Sequence, residues 1–150
     1  MNHPLRIFHV GRLDKDSDGL ILLTNDGDIV NEILRFENQN EKEYIVTVDR
    51  PITQDFLKNM SEGVDILDTT TLPTQVEQVS KYVFKIILRQ GLNRQIRRMC
   101  GALGYNIHRL QRIRIMNIHL GTLPMGQWRD LTKKEKREMF DQLDYEPKDW

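Results

Sequence analysis

The sequence has almost no cysteine, no long apolar run and no closely spaced histidines. Cys100 is the only cysteine among 150 residues, which excludes an intrachain disulfide and a cysteine metal cluster. The histidines at 3, 9, 108 and 119 are not at metal-ligand spacing. No apolar run could span a bilayer, and the N-terminus lacks the layout of a secretory signal. These absences predict a cytoplasmic protein without a metal or membrane contact.

Acidic residues are missing from one part of the chain, although the net charge is zero. Residues 81–114 contain nine Lys and Arg and no Asp or Glu, whereas residues 14–77 contain fifteen acids and five bases. A run of basic residues is often only a solvated helix face. This run is long, mostly arginine and mixed with apolar residues, so it favours binding to a polyanion.

The apolar pattern predicts strands and helices in mixed order. Expected strands cover residues 5–10, 20–24, 44–48, 74–79, 82–88, 107–110 and 113–118. Expected helices cover residues 28–35, 53–63, 94–103 and 132–143. Thr53 and Asn93 are predicted N-caps, Gly63 and Gly104 are predicted helix ends, and residues 132–135 form a capping box. This order predicts an α+β domain with a mixed, mostly antiparallel sheet rather than a doubly wound fold.

Residues 11–20, which we call the acidic loop, hold Asp14, Asp16 and Asp18 between two glycines. The loop precedes a predicted buried strand, a common setting for functional sites. The alternating carboxylates suggest a calcium loop, but an EF-hand counted from Asp14 needs Glu at its twelfth position, which is Asn25 here. An ordinary polar turn, with Arg12 as a surface ion pair, is the simpler alternative.

The basic run contains Arg94, Arg97 and Arg98 at helical i, i+3, i+4 spacing. Three arginines near a helix N-terminus favour phosphate binding, and one of them could keep Asp14 ionised. A helix-turn-helix would require another helix directly upstream, where the pattern predicts a strand. An amphipathic helix with an exposed basic face is the structural alternative.

Four motifs in this order resemble the RsuA/RluA superfamily of RNA pseudouridine synthases. They are the acidic loop, Lys42-Glu43-Tyr44, residues 91–99 and residues 110–115 with 123–129. The later motifs are most similar to the RsuA branch, and residues 91–100 to its RluF type, which acts on large-subunit ribosomal RNA. The resemblance covers residues 6–140. On its own, Tyr44 would be interpreted as a half-buried strand residue.

The resemblance implies a pseudouridine-synthase fold with a central cleft and a role for each matching residue. Asp14 would be the catalytic aspartate, and Arg97 would pair with it. Arg12 would enter the RNA stack in place of the flipped nucleotide. Tyr44 would stack on the target base and help remove its C5 proton, and Leu110 would form an apolar wall. The remaining expected RNA contacts are Asn93, Arg94, Arg98, Arg112 and Arg114.

The implied reaction converts a uridine into pseudouridine without gaining or losing atoms, so no cofactor is expected. Ribosomal RNA of the large subunit is the expected partner, with tRNA as a second candidate. The uridine, and attack at C1′ or at C6, stay open. Residues 1–150 are expected to be one catalytic domain, without the N-terminal S4-type RNA-binding domain and the first core strand of the branch. An unpaired sheet edge would then favour a dimer.

Three other functions stay open at this point. The chain could be a non-catalytic RNA-binding domain or an inactive synthase fragment. It could be a nucleosidase or other glycosidase that uses Asp16 or Asp18 as a second carboxylate. It could also be a structural module associated with the ribosome.

Overall fold

A computed structural model of the chain describes residues 8–10, 13, 16–24, 41–89, 92, 94–121, 123, 127 and 129–143. The strands are β1 (Phe8–Val10), β2 (Asp18–Gly19), β3 (Leu22–Thr24), β4 (Lys42–Val48), β5 (Asp65–Ile66), β6 (Thr69–Thr70), β7 (Gln75–Ser80), β8 (Val83–Leu88), β9 (Ile107–Ile115) and β10 (Ile118–His119). The helices are α1 (Gln54–Glu62), α2 (Gln95–Ala102) and α3 (Lys133–Leu143).

One mixed sheet organises the described part of the chain. Its strand order is β10-β9-β4-β8-β7, and these strands are all antiparallel to their neighbours. The short strand β2 adds to β9 in parallel. Two small antiparallel pairs, β1–β3 and β5–β6, lie outside this sheet. The predicted α+β class with a mostly antiparallel sheet is confirmed.

The main core lies between one face of the sheet and the helices α1 and α2. Alternate residues of β4 and β8, among them Val46 and Phe84, point into this core and are fully buried. The helices contribute Phe56 and Met60 from α1 and Met99 from α2. This packing follows from period-two burial on the strands and three- to four-residue spacing on the helices.

A second, smaller core fixes the end of the acidic loop. Leu20 and Leu22 pack with residues at the β9–β10 turn and with Met139 of α3. Apolar packing therefore holds the end of the acidic loop beside β9.

Several predicted boundaries are confirmed, and each carries a local signal. Thr53 caps α1 by accepting a hydrogen bond from the Phe56 amide at 3.1 Å, and Gly63 ends that helix. Thr132 and Glu135 form the reciprocal capping box at the start of α3. The predicted hairpin of β7 and β8 is also present.

Two expectations about the fold were wrong, and a third lies outside the described residues. The strands predicted over residues 107–110 and 113–118 are not separate there, because β9 runs unbroken from Ile107 to Ile115, with irregular register against β4 near Tyr44 and Val48. Asn93 is not the N-cap of α2, since Arg94 holds that position with a left-handed backbone and no side-chain cap. The helix predicted over residues 28–35 is in the undescribed part. No described helix is long and apolar enough to cross a membrane.

Candidate active site

The end of the acidic loop is attached to the middle of β9. Asp18 and Gly19 pair with Gln111 and Arg112. The Leu20 amide donates to the Arg112 carbonyl at 2.8 Å, and the Arg112 Nε donates back to the Leu20 carbonyl at 2.8 Å. Gly19 has φ 111°, and a Cβ there would collide with the Arg112 carbonyl oxygen. Only glycine allows this close approach without strain.

Asp16 connects the acidic loop to the first turn of α2. Its two carboxylate oxygens accept hydrogen bonds from the two terminal nitrogens of Arg94, at 3.1 and 3.0 Å. The Nε of Arg97 lies 3.3 Å from one of the same oxygens. Arg97 also donates to the main-chain carbonyl of Asp16 at 2.7 Å and to the Ser17 hydroxyl at 3.4 Å. Two arginines therefore hold one short segment of the loop.

A second ion pair joins the loop to β9. Arg109 donates to one carboxylate oxygen of Asp18 through Nε at 3.2 Å and through Nη2 at 2.8 Å. This hydrogen bond raises the pKa of Arg109 above its ordinary value. The pair is partly exposed, so it orients the strand β2 more than it stabilises the fold.

Tyr44 and Leu110 lie on the core face of the sheet beside this attachment point. Tyr44 is in register with Arg112 on β9, and Val46 is in register with Leu110. Tyr44 is half-buried and packs against the main core, whereas Leu110 is a buried member of that core. The register brings the predicted tyrosine next to the residue that holds Leu20.

The structure brings some of the predicted site residues together and leaves others untested. Arg12, Asp14 and Asn93 lie outside the described residues, so the Asp14–Arg97 pairing stays a prediction. Arg97 contacts the acidic loop two residues beyond Asp14, and Arg98 is exposed.

Arg112 and Arg114 occupy positions that do not suit phosphate binding. Arg112 is only 3% exposed. Arg114 has 13% of its side chain exposed and contacts Glu41, Glu43 and the Met116 carbonyl. A guanidinium held inside the fold cannot reach an RNA backbone, so we leave both residues out of the proposed RNA contacts.

The electrostatics of the site keep Asp16 charged. The hydrogen bond from Arg94 lowers the pKa of Asp16 below its ordinary value, and the charge of Arg97 acts in the same direction. Cys100 is a poor nucleophile, because burial raises the pKa of its thiol to about 12. Among the described residues, no three His, Cys, Asp or Glu side chains group as metal ligands would.

The sequence analysis did not predict that Asp16 anchors the loop to α2. It also did not predict that Asp18 pairs with Arg109. A signal existed, because Asp16 and Asp18 are two residues apart and would share one side of an extended segment. Their arginine partners are about 80 and 90 residues away in sequence. The pairing of β2 with β9 brings Asp18 to Arg109, and the Asp16–Arg94 contact forms only in the folded chain.

The comparisons with known proteins identify the family. The profile of the family described as RNA pseudouridylate synthase matches residues 2–102, so the chain belongs to this family. It is 56% identical over 140 residues to the Escherichia coli protein named "Dual-specificity RNA pseudouridine synthase RluF". That match covers 93% of this chain and 48% of the relative. The chain therefore spans about half the length of this relative.

Two further similarities agree with that assignment. Ribosomal large subunit pseudouridine synthase B of Bacillus subtilis is 31% identical over 144 residues, covering 92% of this chain and 59% of the relative. A crystal structure titled as a pseudouridylate synthase superposes with a TM-score of 0.86 at 30% identity, covering 93% of this chain and 63% of that one. The predicted pseudouridine-synthase fold and the resemblance to the RsuA branch and its RluF type are confirmed.

Proposed function

We propose that this chain converts a specific uridine in RNA to pseudouridine, with Asp14 as the attacking carboxylate. The bond between ribose C1′ and uracil N1 breaks, and a bond between C1′ and uracil C5 forms. The C5 proton is lost and N1 gains a proton, so the overall reaction is an isomerisation. A carboxylate can attack C1′ or stabilise positive charge that develops there. Attack at C6 of the ring is the alternative route.

One observation carries this proposal. Residues 16–20 of the acidic loop are held on one side by Arg94 and Arg97 at the start of α2 and on the other by Arg112 of β9. Asp14 precedes this fixed segment by two residues in the sequence. A reacting group needs such a rigid support, because small misplacements are costly for catalysis.

The target base must leave its stack before a carboxylate can reach C1′. In the proposed reaction, Arg12 fills the vacated place, since a planar guanidinium can stack and donate hydrogen bonds. Tyr44 stacks on the flipped base and helps remove the C5 proton. The buried Leu110 contributes to the apolar wall behind it. In the proposed reaction, Arg97 pairs with Asp14 and favours its ionised form.

Large-subunit ribosomal RNA is the proposed substrate. The similarity to proteins named for ribosomal large-subunit activity and for dual specificity supports it. The second specificity in the RluF name supports testing tRNA as well. The proposed phosphate contacts are Asn93 and Arg98, because the Arg94 guanidinium binds the Asp16 carboxylate. The cytoplasmic location and a dimer through an exposed sheet edge stay predictions.

The direct test is incubation of the chain with an in vitro transcript of 23S ribosomal RNA. Pseudouridine would be mapped by chemical labelling and primer extension, and a tRNA pool would be assayed in parallel. We expect pseudouridine at one or a few sites and no release of free uracil. Release of uracil would indicate a glycosidase instead. RNA binding without any pseudouridine would indicate a non-catalytic RNA-binding domain, and neither binding nor product would contradict an RNA function.

A further inference from the structure

Asp16 carries more contacts than a polar loop residue requires. Its carboxylate binds both terminal nitrogens of Arg94 and lies 3.3 Å from the Nε of Arg97. Its carbonyl accepts a 2.7 Å hydrogen bond from Arg97. The main chain and the side chain of one residue are thus held by two arginines from one helical turn.

Arg94 has an unfavourable backbone conformation at the start of α2. Arg94 has φ 48° and ψ 39°, a left-handed backbone that side-chain-bearing residues seldom adopt. Such a conformation persists only where surrounding contacts determine it. The two-pronged contact with Asp16 is one contact that holds the Arg94 side chain.

Asp16 also compensates the charge of Arg97. The side chain of Arg97 is only 16% exposed, and its Nε is shielded from solvent without a hydrogen bond in suitable geometry. The Asp16 carboxylate is the acidic group paired with this nitrogen among the described residues. Without this carboxylate, two guanidiniums of the same turn would repel each other, and Arg97 would keep only its contacts with the Asp16 carbonyl and the Ser17 hydroxyl among the described ones.

We propose that Asp16 is a positioning residue for the reaction. It fixes Arg97 against the loop and fixes the loop segment that follows Asp14, without touching the RNA itself. This inference rests on the proposed function, since it assigns Asp16 an effect on the chemical step. Asp16 would not bind a phosphate directly, because it is itself an anion. Its effect on the reaction is exerted through Arg94 and Arg97.

The test compares Asp16→Asn with the wild-type chain on the 23S ribosomal RNA transcript. Asn has nearly the same size but cannot form two charge-assisted bonds with Arg94. We expect kcat to fall by about 10- to 100-fold, the size of effect that small misplacement produces. KM should change by less than about threefold, because no RNA contact is removed. Asp16→Glu keeps the charge. Its log kcat should be restored by at least about a third of the amount that Asp16→Asn loses.

Two controls separate positioning from general effects. Glu77→Gln removes the same charge from an exposed position on β7, at the opposite edge of the sheet, and should leave kcat and KM unchanged. The double variant Asp16→Asn with Arg94→Gln should lose less than the product of the two single losses, since both changes break one contact. Urea unfolding of every variant reports whether the fold persists, and Asp16→Glu serves if the Asn variant does not fold.

The outcomes are distinguishable from a failure of the proposed function. Absence of pseudouridine with the wild-type chain contradicts the proposed function, and the role of Asp16 falls with it. A wild-type chain that is active, with Asp16→Asn equally active or impaired only in KM, overturns the positioning role alone. Equal impairment of the Asn and Glu variants with intact folds would overturn it too, because the charge would then be irrelevant.

Discussion

Arg112 shows that the role of an arginine depends on where the fold places it. The sequence places it in a basic run, and the resemblance to the family implies an RNA contact. In the structure it is buried and binds the Leu20 carbonyl. Composition cannot distinguish an arginine that binds phosphate from one that anchors a loop. Both roles use the same planar, charged guanidinium with several hydrogen-bond donors.

We predict that Arg112→Met destabilises the chain. Methionine fills much of the volume but leaves the Leu20 carbonyl without this donor. Loss of one partner from a buried hydrogen bond costs about 1–3 kcal/mol, measured as the free energy of unfolding in urea. Arg109→Met, on the same strand but partly exposed, is the matched control and should cost less than about 1 kcal/mol. Equal losses in both variants would argue against an anchoring role for Arg112.

At the scale of elements, local signals predicted what local interactions determine. The alternation of apolar and polar residues in β4 and β8 and the helix caps at Thr53 and Thr132 each depend on a few neighbouring residues. These predictions are confirmed. The strand β2 was missed because Asp18–Gly19 is polar and two residues long. It exists only because β9 lies beside it. Asn93 was a plausible N-cap, but Arg94 holds that position, and its side chain binds Asp16.

The start of α3 gives a prediction with a defined pH dependence. Glu135 accepts a hydrogen bond from the Thr132 amide and pairs with Arg129. The hydrogen bond from Arg129 lowers the pKa of Glu135 to about 2. A lowered folded-state pKa stabilises the fold above the ordinary carboxyl pKa, and this contribution is lost as pH falls from about 4.5 towards 2.

Glu135→Gln keeps an acceptor for the Thr132 amide but removes the charge. We expect it to lower the free energy of unfolding by about 0.5–1 kcal/mol at pH 7. The difference from wild type should shrink as pH is lowered from about 4.5, measured by urea unfolding at each pH. Glu138→Gln is the control, because Glu138 makes only a 3.9 Å contact with Lys134 on the same helix. A difference independent of pH would contradict the ion-pair explanation.

At the scale of the whole molecule, the two oppositely charged parts of the sequence meet. Asp16, Asp18, Glu41 and Glu43 pair with members of the basic run. Those members are Arg89, Arg94, Arg97, Arg109 and Arg114. The positive surface available to RNA is therefore narrower than residues 81–114 suggest. The charge pattern predicted a polyanion site but not which arginines the fold itself uses.

Arg98 is the exposed arginine of α2 that best fits a phosphate contact. We predict that Arg98→Gln weakens binding to 23S ribosomal RNA and lowers the slope of log affinity against log salt by about 1. Arg137→Gln removes an exposed charge from α3, outside the basic run, and should change neither quantity. Filter binding at several salt concentrations measures both. An unchanged slope for Arg98→Gln would show that this side chain displaces no counterions.

The proposal as a whole depends on Asp14 acting chemically rather than structurally. The most direct measurement is pseudouridine formation on 23S ribosomal RNA by Asp14→Asn beside wild type, with RNA affinity and urea unfolding recorded for both. Asn cannot donate an electron pair to C1′ as a carboxylate does. We predict that product falls below detection while affinity and stability stay near wild type. Wild-type rates of pseudouridine formation by the Asn variant would contradict the assignment of Asp14.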